Sequence, residues 1–140
     1  MDEIEVTFPG GKRVDARVGA FVVHTDQPTE HGGEESAVAP LDLFLASIAT
    51  CAGAYVLGFC QARGLSTEGL TLRQSVTFDP TNNLPTRIRL ELQLPESFPE
   101  KYRPSIVRAA EGCKVKKTIA AAPSIEVVAA PPHDRTARAS

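Results

Sequence analysis

Tryptophan is absent from this 140-residue chain, and tyrosine (two), methionine (one) and cysteine (three) are scarce. With so few rings there is little from which to build a base-stacking platform for single-stranded nucleic acid. Charge of one sign is lacking too. Fifteen Lys and Arg stand against 17 Asp and Glu, a net of −2, without the basic face that nucleic-acid binding requires. No nucleic-acid partner is expected. Three cysteines do not make a disulfide framework, and neither a Cys-x-x-Cys nor a paired-His spacing is present. A zinc site would have to recruit His24, His31 or His133, none of them near a cysteine in sequence, so no metal is expected. Gly10-Gly11 and Gly32-Gly33 match neither phosphate-loop spacing. The start, Met1-Asp2-Glu3-Ile4-Glu5, lacks the basic and apolar regions of a signal peptide. The longest apolar run, near 41–60, is broken by Asp42, Ser47, Thr50, Gly53 and Gly58 and has no basic anchors. It reads as a buried helix rather than a membrane span, and a cytoplasmic location without a membrane partner is expected.

What is present is the balance of an ordinary globule, 42% hydrophobic and 23% charged residues. A length of 140 residues suits one domain, 1–140. For 15.0 kDa, area scaling gives a folded surface of roughly 7,000 Å² and an unfolded one of roughly 22,000 Å². About two thirds of the surface should therefore be buried on folding.

Alternation of apolar and polar residues predicts strands at 2–8 (Ile4, Val6, Phe8) and 12–18 (Val14, Ala16, Val18), joined by Pro9-Gly10-Gly11, and a third at 20–24. A polar, Gly-rich loop covers 25–39, a length more often functional than idle. Pro40 can open a helix and Asp42 suits the positive end of its dipole. Apolar residues at 44, 45, 48, 51, 52, 55, 56 and 59, with Ala49, Ala54 and Leu57 on the other side, make this helix apolar nearly all round, hence buried on most sides. Gly64 ends it. Two strands follow at 70–79 and 86–94, then helices at 102–112 and 114–121, and a last strand at 124–129 carrying Ile125 and Val127. From Ala130, with Pro131-Pro132, the tail should fray. The order βββ-α-ββ-α-α-β is an α+β fold of antiparallel sheets against buried helices.

Among residues able to do chemistry, the cysteines lead. Cys51 lies mid-helix, and Cys60, nine residues on, faces the opposite side, so the two cannot pair within one straight helix. Cys113 follows Gly112 at the start of the second C-terminal helix, where free N–H groups, the dipole and Lys114, Lys116 and Lys117 favour a thiolate. Free cysteines commonly serve as small hydrophobes, which suits Cys60. A Cys51–Cys113 redox pair is attractive because a sulfenic acid is resolved by a second thiol, but sequence alone does not bring them together. His24 and His31 are possible bases for a thiol, and solvated loop residues otherwise. Arg13 and Arg17 share the polar face of the second strand with Asp15. A thiol-nucleophile hydrolase using Cys51 with His24 or His31 is a further option.

The stretch 36–51, Ser-Ala-Val-Ala-Pro-Leu-Asp-Leu-Phe-Leu-Ala-Ser-Ile-Ala-Thr-Cys, resembles the signature of the OsmC/Ohr family: a proline, an acidic residue two positions on, an apolar helix with small residues, and a cysteine. Residues 109–115, Ala-Ala-Glu-Gly-Cys-Lys-Val, resemble that family's second-cysteine motif. The likeness covers about residues 4–129. It implies an intertwined homodimer with long buried central helices and active sites at the subunit interface. The implied chemistry is thiol-dependent reduction of organic hydroperoxides, with Cys51 as the peroxidatic thiolate, Cys113 as the resolving thiol and an external dithiol protein as reductant. In one branch of the family a glutamate follows the proline directly. Leu41 stands there, with Asp42 one residue and about 100° of helix further on. In another branch an arginine follows a Thr at the end of the third strand, where this chain has Thr25-Asp26. Asp42, Arg13, Arg17 and His24 are the remaining candidates for activating Cys51. The alternative the departures leave open is a dimer of this fold that binds a small apolar ligand or senses redox state without peroxide turnover.

Overall fold

The computed structural model describes residues 3–132. Strands β1 (Ile4–Gly10), β2 (Arg13–Val18) and β3 (Phe21–Thr25) form one antiparallel sheet in that order. Gly10 and Gly11 adopt positive φ of 144° and 57° at the first turn, a conformation that glycine reaches without steric cost. The register pairs Ile4 with Val18 and Val18 with Phe21, and Val6 with Ala16 and Ala16 with Val23. Because side chains alternate across a strand, these apolar residues share one face. Thr7, Asp15 and His24, with Glu5, Arg17 and Val22, share the other.

Helix α1 (Pro40–Ala62) begins with proline in its first turn and runs 23 residues. It closes as the glycine predicts: Gly64 has φ 63°, and the Leu65 N–H returns to the Cys60 carbonyl at 2.9 Å. Arg63 adds a bond from its guanidinium to the Phe59 carbonyl at 3.2 Å and lies 3.7 Å over the Phe59 ring. Strands β4 (Thr71–Phe78) and β5 (Pro85–Gln93) form the second sheet, followed by α2 (Arg103–Glu111) and α3 (Lys114–Ala120). The core gathers at the C-terminal end of α1, where Val56, Phe59, Cys60, Phe98 and Ile106 are buried together. α1 also packs on α3 and β4. Its length and apolarity would suffice to cross a membrane; here one of its sides is covered by these elements.

Two expectations need correction. Residues 124–129 form no strand: Ile125 is 88% and Val127 91% exposed, and no strand among the described residues pairs with them. The alternation is real, but alternation specifies a strand only when an edge is at hand to receive it. The surface is also larger than expected. It measures 10840 Å², so about half rather than two thirds of the unfolded-chain area is lost. Three regions contribute: the first sheet, whose apolar face leaves Ile4, Val6, Phe8 and Phe21 exposed; α1, which buries only part of its circumference and leaves Leu41, Leu43, Phe44, Tyr55 and Leu57 exposed, where the sequence predicts burial on most sides; and the extended stretch with Ile125, Val127 and Val128. The frayed tail expected from residue 130 falls, beyond Pro132, outside the described residues, as does His133.

The loop 25–39 is more organised than its composition suggests. It contains a short 3-10 turn at Thr29–His31 and closes around Asp26, which is 1% exposed. That carboxylate accepts hydrogen bonds from the N–H groups of Gln27 (2.7 Å), Ser36 (3.1 Å) and Glu34 (3.4 Å) and from the Ser36 hydroxyl (2.6 Å). Gly33 packs so tightly on the Gln27 backbone that a Cβ there would sit 1.9 Å from the Gln27 carbonyl oxygen.

Candidate functional site

Helix α1 carries Cys51 to the place where α2 ends and α3 begins. At that junction the Gly112 N–H bonds back to the Arg108 and Ala109 carbonyls, and the Cys113 backbone turns extended (φ −62°, ψ 141°) to become the N-cap of α3. The Cys113 sulfur accepts the Lys116 N–H at 3.3 Å and is 1% exposed. Cys51, half-buried on α1, faces the same turn, near the Val115 N–H first, then the Cys113 thiol and the Lys114 N–H. These hydrogen bonds favour the thiolate and hold the Cys51 pKa below the ordinary thiol value of 9.0, against an opposing contribution from burial. The first-turn N–H groups of α3, which have no partner within a helix, are thus shared between two sulfurs. The sequence reading placed them beside Cys113 alone.

Cys60 behaves otherwise. It is fully buried among Val56, Phe59, Phe98 and Ile106, and burial pushes its thiol up despite the charge of Arg63. It is core filling, as its half-turn offset from Cys51 implies.

Beside the Cys113 sulfur lies a cavity of about 380 Å³. Its walls are apolar, from Ile48 and Ala52 of α1, Leu72, Ile88, Leu90 and Leu92 of the second sheet, and Val107 and Ile119 of the helices; Glu111 and Lys116 are its charged residues. Nearby, Gln74 interrupts the apolar alternation of β4. Its amide donates to the Leu45 carbonyl at 3.0 Å, and its Oε1 is buried without a partner among the described residues.

The other sequence candidates lie elsewhere. Asp42 is exposed in the first turn of α1. Nine residues of helix set it about 13.5 Å along the axis from Cys51 and on the opposite side, out of reach within one chain. Arg13 and Arg17 are exposed on β2. His24 Nδ1 lies 3.1 Å from Asp15 Oδ2 across the β2–β3 ladder. None of these groups is among those that hold Cys51. Asp26, which follows Thr25 where one family branch has arginine, spends its carboxylate on the loop. Its pKa falls to about 2, through the Ser36 hydroxyl first and then the backbone N–H groups. Its anchoring role was missed by the sequence reading, although an aspartate opening a Gly- and Ser-rich loop is a recognisable turn signal. Among the described residues no three His, Cys, Asp or Glu side chains are grouped to hold a metal ion.

Solved structures share this architecture. A Psychrobacter arcticus 273-4 protein described as an osmotic stress induced and detoxification response protein superposes with a TM-score of 0.72 at 20% identity, over 84% of this chain and 88% of that one. An OsmC-like protein from Mycoplasma pneumoniae gives 0.64 at 18% identity, over 87% and 91%. A Legionella pneumophila protein described as an organic hydroperoxide resistance protein OsmC and predicted redox protein gives 0.52 at 20% identity, over 84% and 87%. At these identities the likeness establishes the fold. No curated protein matches the chain in sequence. The family profile described as OsmC-like protein matches residues 32–128, the span that contains both cysteine motifs, and the chain belongs to the OsmC family.

Proposed function

We propose that this protein reduces organic hydroperoxides through Cys51 and Cys113. The observation that carries the reading is the convergence of two thiols 62 positions apart in sequence on the first turn of α3, with Cys51 held toward its thiolate. The thiolate attacks the distal peroxide oxygen and the O–O bond breaks. The alkoxide leaves as the alcohol after taking a proton, and Cys51 becomes a sulfenic acid. Cys113 attacks that sulfur, forming the disulfide and expelling water. An external dithiol protein returns both thiols and is itself oxidised. The Legionella pneumophila neighbour's description supports the substrate class, and the apolar cavity beside Cys113 suits an organic rather than a hydrated peroxide. No metal or other cofactor enters this scheme, and a cytoplasmic setting, where thiols are kept reduced, suits it.

The working form in this reading is a homodimer. The surface exceeds that of a compact chain of this mass by about 3,800 Å²; the exposed apolar face of the first sheet and the exposed side of α1 contribute to the excess, and a second copy would have apolar surface there to bury. Arg13, Arg17 and His24 would then meet Cys51, if at all, across that interface.

The test is stopped-flow reaction of the reduced protein with cumene hydroperoxide and with hydrogen peroxide, followed by intact mass. Fast reaction with the organic peroxide, and loss of two hydrogens mapped to Cys51 and Cys113, is the expected result. Both should vanish in Cys51→Ser. Slow reaction with both peroxides and thiols left free would favour the second reading, a dimer that binds a small apolar ligand or senses redox state. The cavity and the lack of a cationic side chain among the groups holding Cys51 are the observations on that side.

A further inference from the structure

The N-cap of α3 is a sulfur. Serine, threonine, aspartate or asparagine usually fills such a position, and a thiol is a weaker acceptor. Yet the Cys113 sulfur is the acceptor for the Lys116 N–H at 3.3 Å, and it is buried against Cys51. α3 has little else to hold it. It spans seven residues and buries none of them fully, and an isolated helix of that length is unstable in water. Its cap and its packing on α1 keep it in place. Through Lys116 and Ile119 it forms one wall of the cavity.

We infer that Cys113 is a positioning residue for α3 as well as the redox partner of Cys51, and that joining the two sulfurs withdraws the cap and loosens the first turn of α3 with the cavity wall it carries. This rests on the reading of Cys51 and Cys113 as a redox pair. Two thiols lose two electrons and two protons to the oxidant, and one S–S bond forms. The Cys113 sulfur is then committed to Cys51 and the Lys116 N–H loses its acceptor. The Lys114 and Val115 N–H groups exchange a thiolate for a neutral sulfur, a weaker partner. The loosening also has a use. Cys113 is covered in the reduced protein, and thiol–disulfide exchange depends on access to the attacked sulfur. Oxidation itself thus opens the way for the dithiol that must follow.

The experiment is amide hydrogen exchange by mass spectrometry on the full chain, reduced and after treatment with diamide, a two-electron thiol oxidant, with the disulfide placed by peptide mapping. Residues 114–118 should exchange about fivefold faster or more in the disulfide form, the factor the loss of an ordinary N-cap implies. The core segment 56–60 should not change. Cys113→Ser, whose hydroxyl caps but cannot form the disulfide, should keep α3 protected with and without diamide. Reduced Cys113→Ala should exchange as fast as the oxidised parent. Equal protection of α3 in the reduced and disulfide forms overturns the inference, as does parental protection in Cys113→Ala. If diamide forms no Cys51–Cys113 bond, the redox pair falls and this inference with it. If diamide forms the bond and hydroperoxide does not, only the peroxide reading falls.

Discussion

The first sheet and the half of the molecule built on α1 differ in what they bury. Within the chain β1, β2 and β3 contribute one buried residue, Thr25, and leave Phe8 81% and Phe21 75% exposed. The region from α1 onward holds every buried hydrophobic residue among those described. Both regions follow their local rules: the sheet alternates cleanly, and the helix carries its apolar stripe. What separates them is whether a second layer arrives to cover the apolar face. For one side of α1 it arrives in the same chain, as α2, α3 and β4, while Leu41, Leu43, Phe44, Tyr55 and Leu57 elsewhere on the helix stay exposed. For the first sheet no element among the described residues supplies it. The thiols sit in the covered half, where helix ends can be fixed against one another. The cationic candidates Arg13 and Arg17 sit in the uncovered one.

The sharpest way to break this comparison is Val6→Asp, which puts a carboxylate in the middle of the sheet's apolar face. If a second copy covers that face, burying an unpaired charge costs several kcal/mol, and light scattering should find the variant at the mass of one chain. An unchanged mass and stability would mean the face is open to water. On the other side, Ile106→Ala removes a fully buried side chain from the core and should cost about 2–5 kcal/mol in urea denaturation. A smaller loss would show that the covered half is packed more loosely than its burial indicates.

Asp26 joins the two regions and gives a pH signature. Its pKa is about 2 when folded against 3.8 ordinarily. The stabilisation it brings is therefore complete above pH 3.8 and is lost as the pH falls through about 2. Hydrogen exchange at Gln27 and Ser36 should show the loop released over that interval, and Asp26→Asn should leave it loose at neutral pH. Cys51 titrates below 9.0 and Cys60 above it. Alkylation by iodoacetamide, followed residue by residue against pH, should place the Cys51 midpoint below that value, while Cys60, sealed in the core, stays unmodified in the folded protein. The smallest effect belongs to the surface: His24→Ala breaks the pair with Asp15, in which the His24 side chain is 61% exposed, and should change stability by about 0–1 kcal/mol.

The helices and paired strands were legible in the sequence because each is written in a local code. Pro40 and Gly64 bracket α1, alternation marks β4 and β5, and Gly112-Cys113 punctuates the two last helices. The meeting of Cys51 with Cys113 was legible only through family resemblance. It depends on how α2 returns the chain to α1, a long-range event with no local code. Residues 124–129 show the opposite failure, since a strand-like pattern there has no edge within the chain. Gln74 marked itself by breaking an apolar row, but its bond to the Leu45 carbonyl could not be foreseen without the distance between β4 and α1. Asp26 stood out in the sequence only as the residue where one branch of the family has arginine, whereas its charge is spent on N–H groups eight and ten residues further on.

Cys60 gives the molecule a clock that runs on unfolding. Its thiol is sealed in the core and disfavours ionisation, so an oxidant that exhausts Cys51 and Cys113 leaves it unspent. It becomes reactive only when the C-terminal end of α1 comes apart. The thiol titre of an aged or stressed sample therefore separates two injuries. Under the proposed redox scheme two lost thiols would record a Cys51–Cys113 disulfide left unreduced, and a third would record that the chain has opened.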